Sequence, residues 1–374
     1  MGLIPKTLGT RPRLAVEIRP EGVVAARAED AAAILTAVAR GEAPGKQASE
    51  DRAHVIAAVK RALEAVAQKE RQTSLVVPDA AVRVLLLEFE QLPPKPAEAL
   101  AVVRFRLKKL LPFDADGAAI SYQVMSQGKN LVRVLAVAVP AEVLAEYEGL
   151  VREAGFEPGA VLPSTLAACS ALPETDDAIL LVNACETSVT TAIVQGGVIL
   201  LHRTVDLGGY VSTEEAVETT LPLVDVDASA GEWARQQPLT GYGVLDDQHI
   251  SDEADFRARQ LAETIAAETL APLPASPAAG FLADQRHSTA LEIAQALSVA
   301  AAYFEDTLDR APSQILAAGT IGATQLDELL RDAGFGGGRM QVREMVEPEV
   351  LSGGAVGTRV PRGWMAGVRG ALRN

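Results

Sequence analysis

One pattern occurs twice in this chain, and it constrains the fold more than any other feature. Leu14-Ala-Val-Glu17 and Leu181-Val-Asn183 each end an apolar run on an acid or an amide. Each leads through a turn into a second apolar run: Val23 to Arg27 in the first copy, Ser188 to Val194 in the second. Glu17 and Asn183 lie 166 residues apart, close to one domain length. A β-hairpin that opens two successive α/β halves predicts a duplicated fold with a cleft between the halves.

The segments between the copies support that reading. Ile56, Val59, Leu63 and Val66 recur at helical spacing, and so do Leu100, Val103, Leu107 and Leu110/Leu111. Strands are expected at 74–78, 82–89, 120–124, 132–139, 178–183, 188–194, 198–203 and 314–318, and further helices at 141–154, 290–308 and 323–333. Residues 212–290 differ: they are acidic, carry a Pro/Ala stretch, and read as a partly helical insertion.

Composition removes several function classes. The net charge of −15 argues against general nucleic-acid binding, which depends on neutralising phosphates. Aromatic residues make up 4% of the chain, so its cores must be built from Ala, Val, Leu and Ile. Cys169 and Cys185 cannot form a disulfide framework, and His54, His202, His249 and His287 do not pair at metal-ligand spacing. No metal site and no catalytic residue is expected. Cys185 has no neighbouring activator, and Ser164 and Ser188 lack the nucleophile-elbow motif. The N-terminus has no apolar signal core, and no run of about 18 apolar residues occurs. A cytoplasmic protein is expected, reaching a membrane through a partner.

Further motifs sharpen this. They are Leu75-Val-Val-Pro-Asp-Ala-Ala-Val82, Leu110-Leu-Pro-Phe-Asp114, Ser121-Tyr-Gln-Val124, Leu135-Ala-Val-Ala-Val-Pro140 and Ala154-Gly-Phe-Glu-Pro158. In order and spacing the chain resembles the PilM family of type IV pilus assembly, within the actin-like ATPase superfamily. The resemblance implies an α/β, two-lobed, actin-like (ribonuclease H-like) duplicated fold with an FtsA-like small subdomain. The lobes would be 13–73 plus 155–176 and 177–211 plus 290–374, with the small subdomain at 74–154 and the insertion at 212–289. It also implies ATP with Mg²⁺ in the cleft and a partner, the cytoplasmic tail of an inner-membrane PilN-like protein. Other pilus assembly proteins and a homo-oligomer stay open as partners.

Proteins of this superfamily hold phosphates on the two hairpin turns, with an Asp ending each first strand. Here Glu17 replaces the first Asp, followed by Arg19, by Pro20, which has no N–H, and by Glu21. Asn183 replaces the second, and the usual glycine after it is missing. Losing two charge-assisted hydrogen bonds removes about 3–6 kcal/mol, roughly a hundred- to ten-thousand-fold in affinity. The expected nucleotide contacts are Glu17, Thr187, Ser188, Gly208, Gly209, Gly319 and Thr320. The expected function is a pseudo-ATPase scaffold, and the competing one is an active Mg²⁺-dependent ATPase that drives or regulates pilus assembly.

Two basic features complete the reading. Arg104, Arg106, Lys108 and Lys109 flank an apolar helix side, a pattern that suits an anionic membrane, an acidic partner or a plain solvated face. Leu110, Leu111, Pro112 and Phe113 are expected near a partner groove between the small subdomain and the rest. Arg359, Arg362, Arg369 and Arg373, with Trp364 and Met365, read as a terminal helix docked on its own domain.

Overall fold

The computed structural model describes residues 13–42, 52–207, 277–309, 312, 314–334, 341–356 and 360–373. Gly208, Gly209 and most of the acidic insertion lie outside the described residues. The part of that insertion that is described, from Pro277, belongs to a long helix that runs through Leu308.

The repeat seen in the sequence is a repeat of topology. In the first half β1 (Leu14–Arg19), β2 (Gly22–Ala28) and β3 (Leu35–Glu42) form an antiparallel meander. Helix α1 (Arg52–Ala67) then crosses to β4 (Gln72–Val77), which pairs parallel to β1. In the second half β9 (Ile179–Ala184), β10 (Ser188–Gln195) and β11 (Val198–Asp206) repeat the meander. Helix α5 (Pro277–Leu308) then leads to β12 (Gln314–Gly319), parallel to β9.

Each half adds one more parallel strand. These are β8 (Glu157–Pro163), beside β4, and β13 (Gln341–Glu344), reached through α6 (Ala323–Asp332) and lying beside β12. The sheet orders β3-β2-β1-β4-β8 and β11-β10-β9-β12-β13 therefore correspond strand for strand, with β14 (Leu351–Val356) added to the outer edge of the first.

Burial on both faces explains why these strands read as continuous apolar runs rather than alternating ones. In β1, Leu14, Val16 and Ile18 face α1 and α3 (Ala141–Glu153), packing with Leu63, Val66 and Val151. Ala15 faces the other way, into a core shared with Leu181 and Ala192 of the second sheet. Two short helices, α4 (Ser164–Cys169) and α7 (Ala366–Leu372), fill that shared core. Trp364 and Met365 are buried there, and Arg373 donates to the carbonyls of Ala171 and Leu172. The terminal helix is docked, as the sequence suggested.

A third sheet, β5-β7-β6, is inserted between β4 and α3. It consists of β5 (Arg83–Phe89), β6 (Ala118–Gln127) and β7 (Val132–Pro140). Its period-two alternation sends Leu87, Val134, Ala136 and Ala138 toward α2 (Pro96–Leu107). Val84, Leu86 and Val137 pack against the main body. The expected boundaries move accordingly. β4 was expected in the small unit beginning at 74, but its pairing with β1 and β8 puts it in the first large sheet. Helix α3 packs on α1, so it too belongs to the main body. Likewise β14 and α7, expected in the second lobe, return to the first sheet and its core.

The shared core depends on close backbone approach. A Cβ at Gly370 would lie 1.7 Å from the Ala167 carbonyl oxygen, where α7 crosses α4. Gly370→Ala must push the two helices apart. The expected cost is about 1–3 kcal/mol, read as a lowered thermal midpoint. An unchanged midpoint would contradict this packing.

Candidate functional site

The C-terminal ends of β1 and β9 meet where the two halves adjoin, and their polar residues form one buried network. Glu17 is fully buried at the end of β1, not at the surface as a strand-end acid usually is. Two residues on, Arg19 on the same side of the strand donates from Nε to Glu17 Oε1 at 2.8 Å, and Nη2 of the same guanidinium closes the ion pair at 2.6 Å. Ser164, at the start of α4, donates to the same oxygen at 2.5 Å. Its hydroxyl also accepts from Arg19 Nη2 at 3.2 Å and from Asn183 Nδ2 at 2.9 Å. That uses its one donor and both acceptor sites.

A second group adjoins the first. Asp79, in the single turn after β4, accepts from the backbone N–H and the hydroxyl of Thr165, the latter at 2.6 Å. Asn183 donates to Asp79 at 3.2 Å and to Thr165 Oγ1 at 3.0 Å. The amide is therefore a cross-link between the halves.

The two hairpin turns are also joined directly. Arg19 Nη1 donates to Cys185 Sγ at 3.1 Å, and Glu21 accepts the backbone N–H of Glu186 at 2.8 Å. Glycines bring the backbone in behind this network. A Cβ at Gly367 would meet Glu17 Oε2 at 2.5 Å, and one at Gly319 would meet the Ala184 carbonyl oxygen at 2.2 Å. Gly319 also sits at a φ of +97°, which favours glycine.

Burial sets the electrostatics. It pushes the Glu17 carboxyl above its usual pKa, with Arg19 and Ser164 pulling the other way. Burial works against the Arg19 charge too, but Glu17 beside it more than compensates and Arg19 stays protonated. The Cys185 thiol is raised by burial despite Arg19, so it is not a reactive thiolate.

The residues do not fit a nucleotide with Mg²⁺. The space among Glu17, Arg19, Asp79, Asn183, Thr187 and Ser188 is about 10 Å³, enough for one water. Hydrated Mg²⁺ keeps several waters and needs more room. The Glu17 carboxylate is already matched by Arg19, whose guanidinium lies between the two turns. Among the described residues no group of three His, Cys, Asp or Glu side chains could hold a metal ion.

The expected contacts divide into groups. Glu17, Thr187 and Ser188 line this one space. Gly319 and Thr320 lie behind it, where the Thr320 backbone N–H reaches Cys185 and the Thr320 hydroxyl is buried without a partner. Leu111 and Phe113 are elsewhere, packed into the α2 side of the small sheet, turned away from the large sheets, while Leu110 and Pro112 at the end of α2 are exposed. The sequence reading missed Asp79, Ser164 and Thr165 as members of the network. It also named Arg19 only as a residue of the first turn, whereas Arg19 is the partner of Glu17.

Comparison with known proteins bears on the fold. No protein-family model matches this chain, and no curated protein matches it either. Solved structures do. A PilM–PilN type IV pilus biogenesis complex is 17% identical with a TM-score of 0.62, covering 96% of this chain and 98% of that one. The ethanolamine utilization protein EutJ from Carboxydothermus hydrogenoformans is 12% identical with a TM-score of 0.41, covering 99% and 92% of the two chains. The cytoplasmic domain of EpsL, an inner membrane component of the type II secretion system of Vibrio cholerae, is 15% identical with a TM-score of 0.36, covering 52% and 71%. The chain has the actin-like fold. Of these three it resembles PilM in fold over nearly its whole length.

Two predictions follow from the network. Arg19→Met strands a buried carboxylate and is expected to cost about 3–5 kcal/mol in denaturant unfolding. Adding Glu17→Gln should recover much of that loss, giving a clear coupling in the double-mutant cycle. Additive effects would contradict the pairing. The second concerns His202 on β11, whose pKa burial holds below the usual 6.5. The unfolded chain then takes up a proton that the folded chain refuses. Stability contributed above pH 6.5 is lost as pH falls from there toward the folded value. Thermal melts of His202→Gln should lose less stability between neutral and mildly acidic pH than those of the parent.

Proposed function

We propose that this chain is an actin-like scaffold of type IV pilus assembly, or of a related secretion system. In this reading it holds the cytoplasmic tail of an inner-membrane, PilN-like protein and works without nucleotide. It sits at the cytoplasmic face of that membrane through the partner. Among the described residues no helix is long and apolar enough to cross a membrane. The unit of β5, α2, β6 and β7 takes the part of the FtsA-like small subdomain.

The observation that carries the proposal is the closed pair of hairpin turns in a fold shared with PilM. Arg19 and Glu21 bridge to Cys185 and Glu186 across the position where the superfamily places phosphates. Opening that position means losing the Arg19–Cys185 and Glu21–Glu186 hydrogen bonds, and hydrogen bonds to charged groups are worth about 1.5–3 kcal/mol each. An ATPase reading needs the opposite: a free carboxylate for Mg²⁺ and turn N–H groups facing an open cleft.

The test is a thermal melt with and without millimolar Mg-ATP, followed by titration with a synthetic peptide of the candidate partner's tail. A ligand present at a hundred times its Kd adds about 2.7 kcal/mol of stability. A 10 μM site would thus raise the melting temperature by roughly 3–4 °C for a chain of this length. No shift is expected with Mg-ATP, and the tail peptide should bind equally well with and without it. A shift of that size, or peptide binding that requires nucleotide, would overturn the proposal.

A further inference from the structure

The outward side of α2 has no partner among the described residues. Its inward residues Ala99, Val103 and Leu107 are buried against the small sheet. Phe105 stands on the opposite side and is 68% exposed, with Val102 at 36% one turn before it and Leu110 at 41% just past the helix end. These are three of the five large exposed hydrophobics among the described residues, gathered on one element. Scattered exposed apolar residues are ordinary, but a cluster on one helix flank is not.

The charges beside this cluster are basic. By helical spacing Lys109 follows Phe105 by one turn, and Arg106 follows Val102 by one turn. Neither makes an ion pair among the described residues, whereas Lys95 and Lys108 are matched by Glu98 and Asp116. Arg104 is occupied with the carbonyls of Ala115 and Ala118. An otherwise strongly acidic chain thus presents one flank where an exposed aromatic ring is flanked by unmatched cations.

We infer that this flank rests on an anionic lipid surface, Phe105 and Val102 entering the headgroup boundary and Arg106 and Lys109 meeting lipid phosphates. The shape favours lipid over a peptide. A partner helix is held in a groove, but here the apolar side chains stand on the outward crest of a single helix, as in interfacial helices. The charge balance favours it as well. The net charge of −15 repels an anionic surface, so the basic flank sets which face approaches. Each cation near such a surface strengthens binding roughly fivefold. Two cations and one aromatic give a weak contact that gains when the chain is also tethered. The inference rests on α2 alone and stands whether or not a partner tail binds elsewhere.

The experiment is sedimentation of the full chain with vesicles of mixed phosphatidylglycerol and phosphatidylcholine, and with phosphatidylcholine alone. Binding is expected with the anionic vesicles at low salt. It should fall at least tenfold in Phe105→Ser/Lys109→Ser and in Arg106→Ser/Lys109→Ser. These side chains are exposed, so unchanged melting midpoints will show that the variants fold. Absence of binding to anionic vesicles overturns the inference, and so does binding that the variants leave intact. If the variants keep vesicle binding but lose the tail peptide, the flank belongs to a protein partner and the lipid assignment is wrong.

Discussion

The Glu17–Arg19 pair is the interaction on which the junction of the two halves depends. Both groups lie at the end of β1, buried where the halves meet. A buried carboxylate is tolerable only with a charged partner and satisfied hydrogen bonds. Arg19 supplies the charge and Ser164 donates to the same oxygen, Glu17 Oε1, while Arg19 itself reaches the Cys185 sulfur; Glu17 Oε2 is buried without a partner among the described residues. The partners come from β1, α4 and the turn after β9, so three distant segments are held by one requirement. Asn183 extends the same logic to Asp79 and Thr165. Such a network favours this arrangement, because a relative shift of the halves breaks the Arg19–Cys185, Asn183–Asp79 and Asn183–Thr165 hydrogen bonds together.

That arrangement separates what holds the fold from what its two turns do. The duplicated sheets, the parallel crossovers and the small inserted sheet all depend on apolar patterning, and that patterning is intact. The turns answer to a separate constraint. Glu21 accepts the N–H of Glu186, joining the two turns. Arg19 occupies the space between the turns. Within the junction the charge of Glu17 is met by Arg19.

How much of this was legible in the sequence differs between fold and site. The hairpin copies at Glu17 and Asn183, and the strands expected at 82–89 and 132–139, follow from local patterning and appear in the structure. Strand β3 did not stand out, because Leu35-Thr-Ala-Val-Ala-Arg has neither clean alternation nor a long apolar run. β4 was assigned to the wrong unit because a central parallel strand looks the same wherever it pairs. Site membership was legible for Glu17, Thr187 and Ser188, which sit on the turns themselves. Asp79, Ser164 and Thr165 were not legible. Their partners are between 18 and 147 residues away, and nothing in a short polar side chain announces a distant contact. Arg19 was visible on its turn but its role was not, since only the burial of Glu17 reveals that the arginine is already committed.

A junction held by its own side chains also limits how the molecule can be controlled. In a nucleotide-driven machine, two states differ in what the cleft holds, and a ligand shifts their balance by its differential affinity. On the scaffold reading the cleft holds no nucleotide, so that input has nothing to act on. Any change in conformational balance must come from surfaces outside the junction. The small sheet is suited to this, since one face packs on the body through Val84, Leu86 and Val137 and the other carries α2 outward. A contact made at α2 therefore bears on the body through a single apolar interface rather than through the polar network. On the scaffold reading, assembly is governed by what binds and where it is tethered. The electrostatics reinforce this: a strongly acidic body with one basic, apolar flank is an object with a preferred orientation at a charged surface.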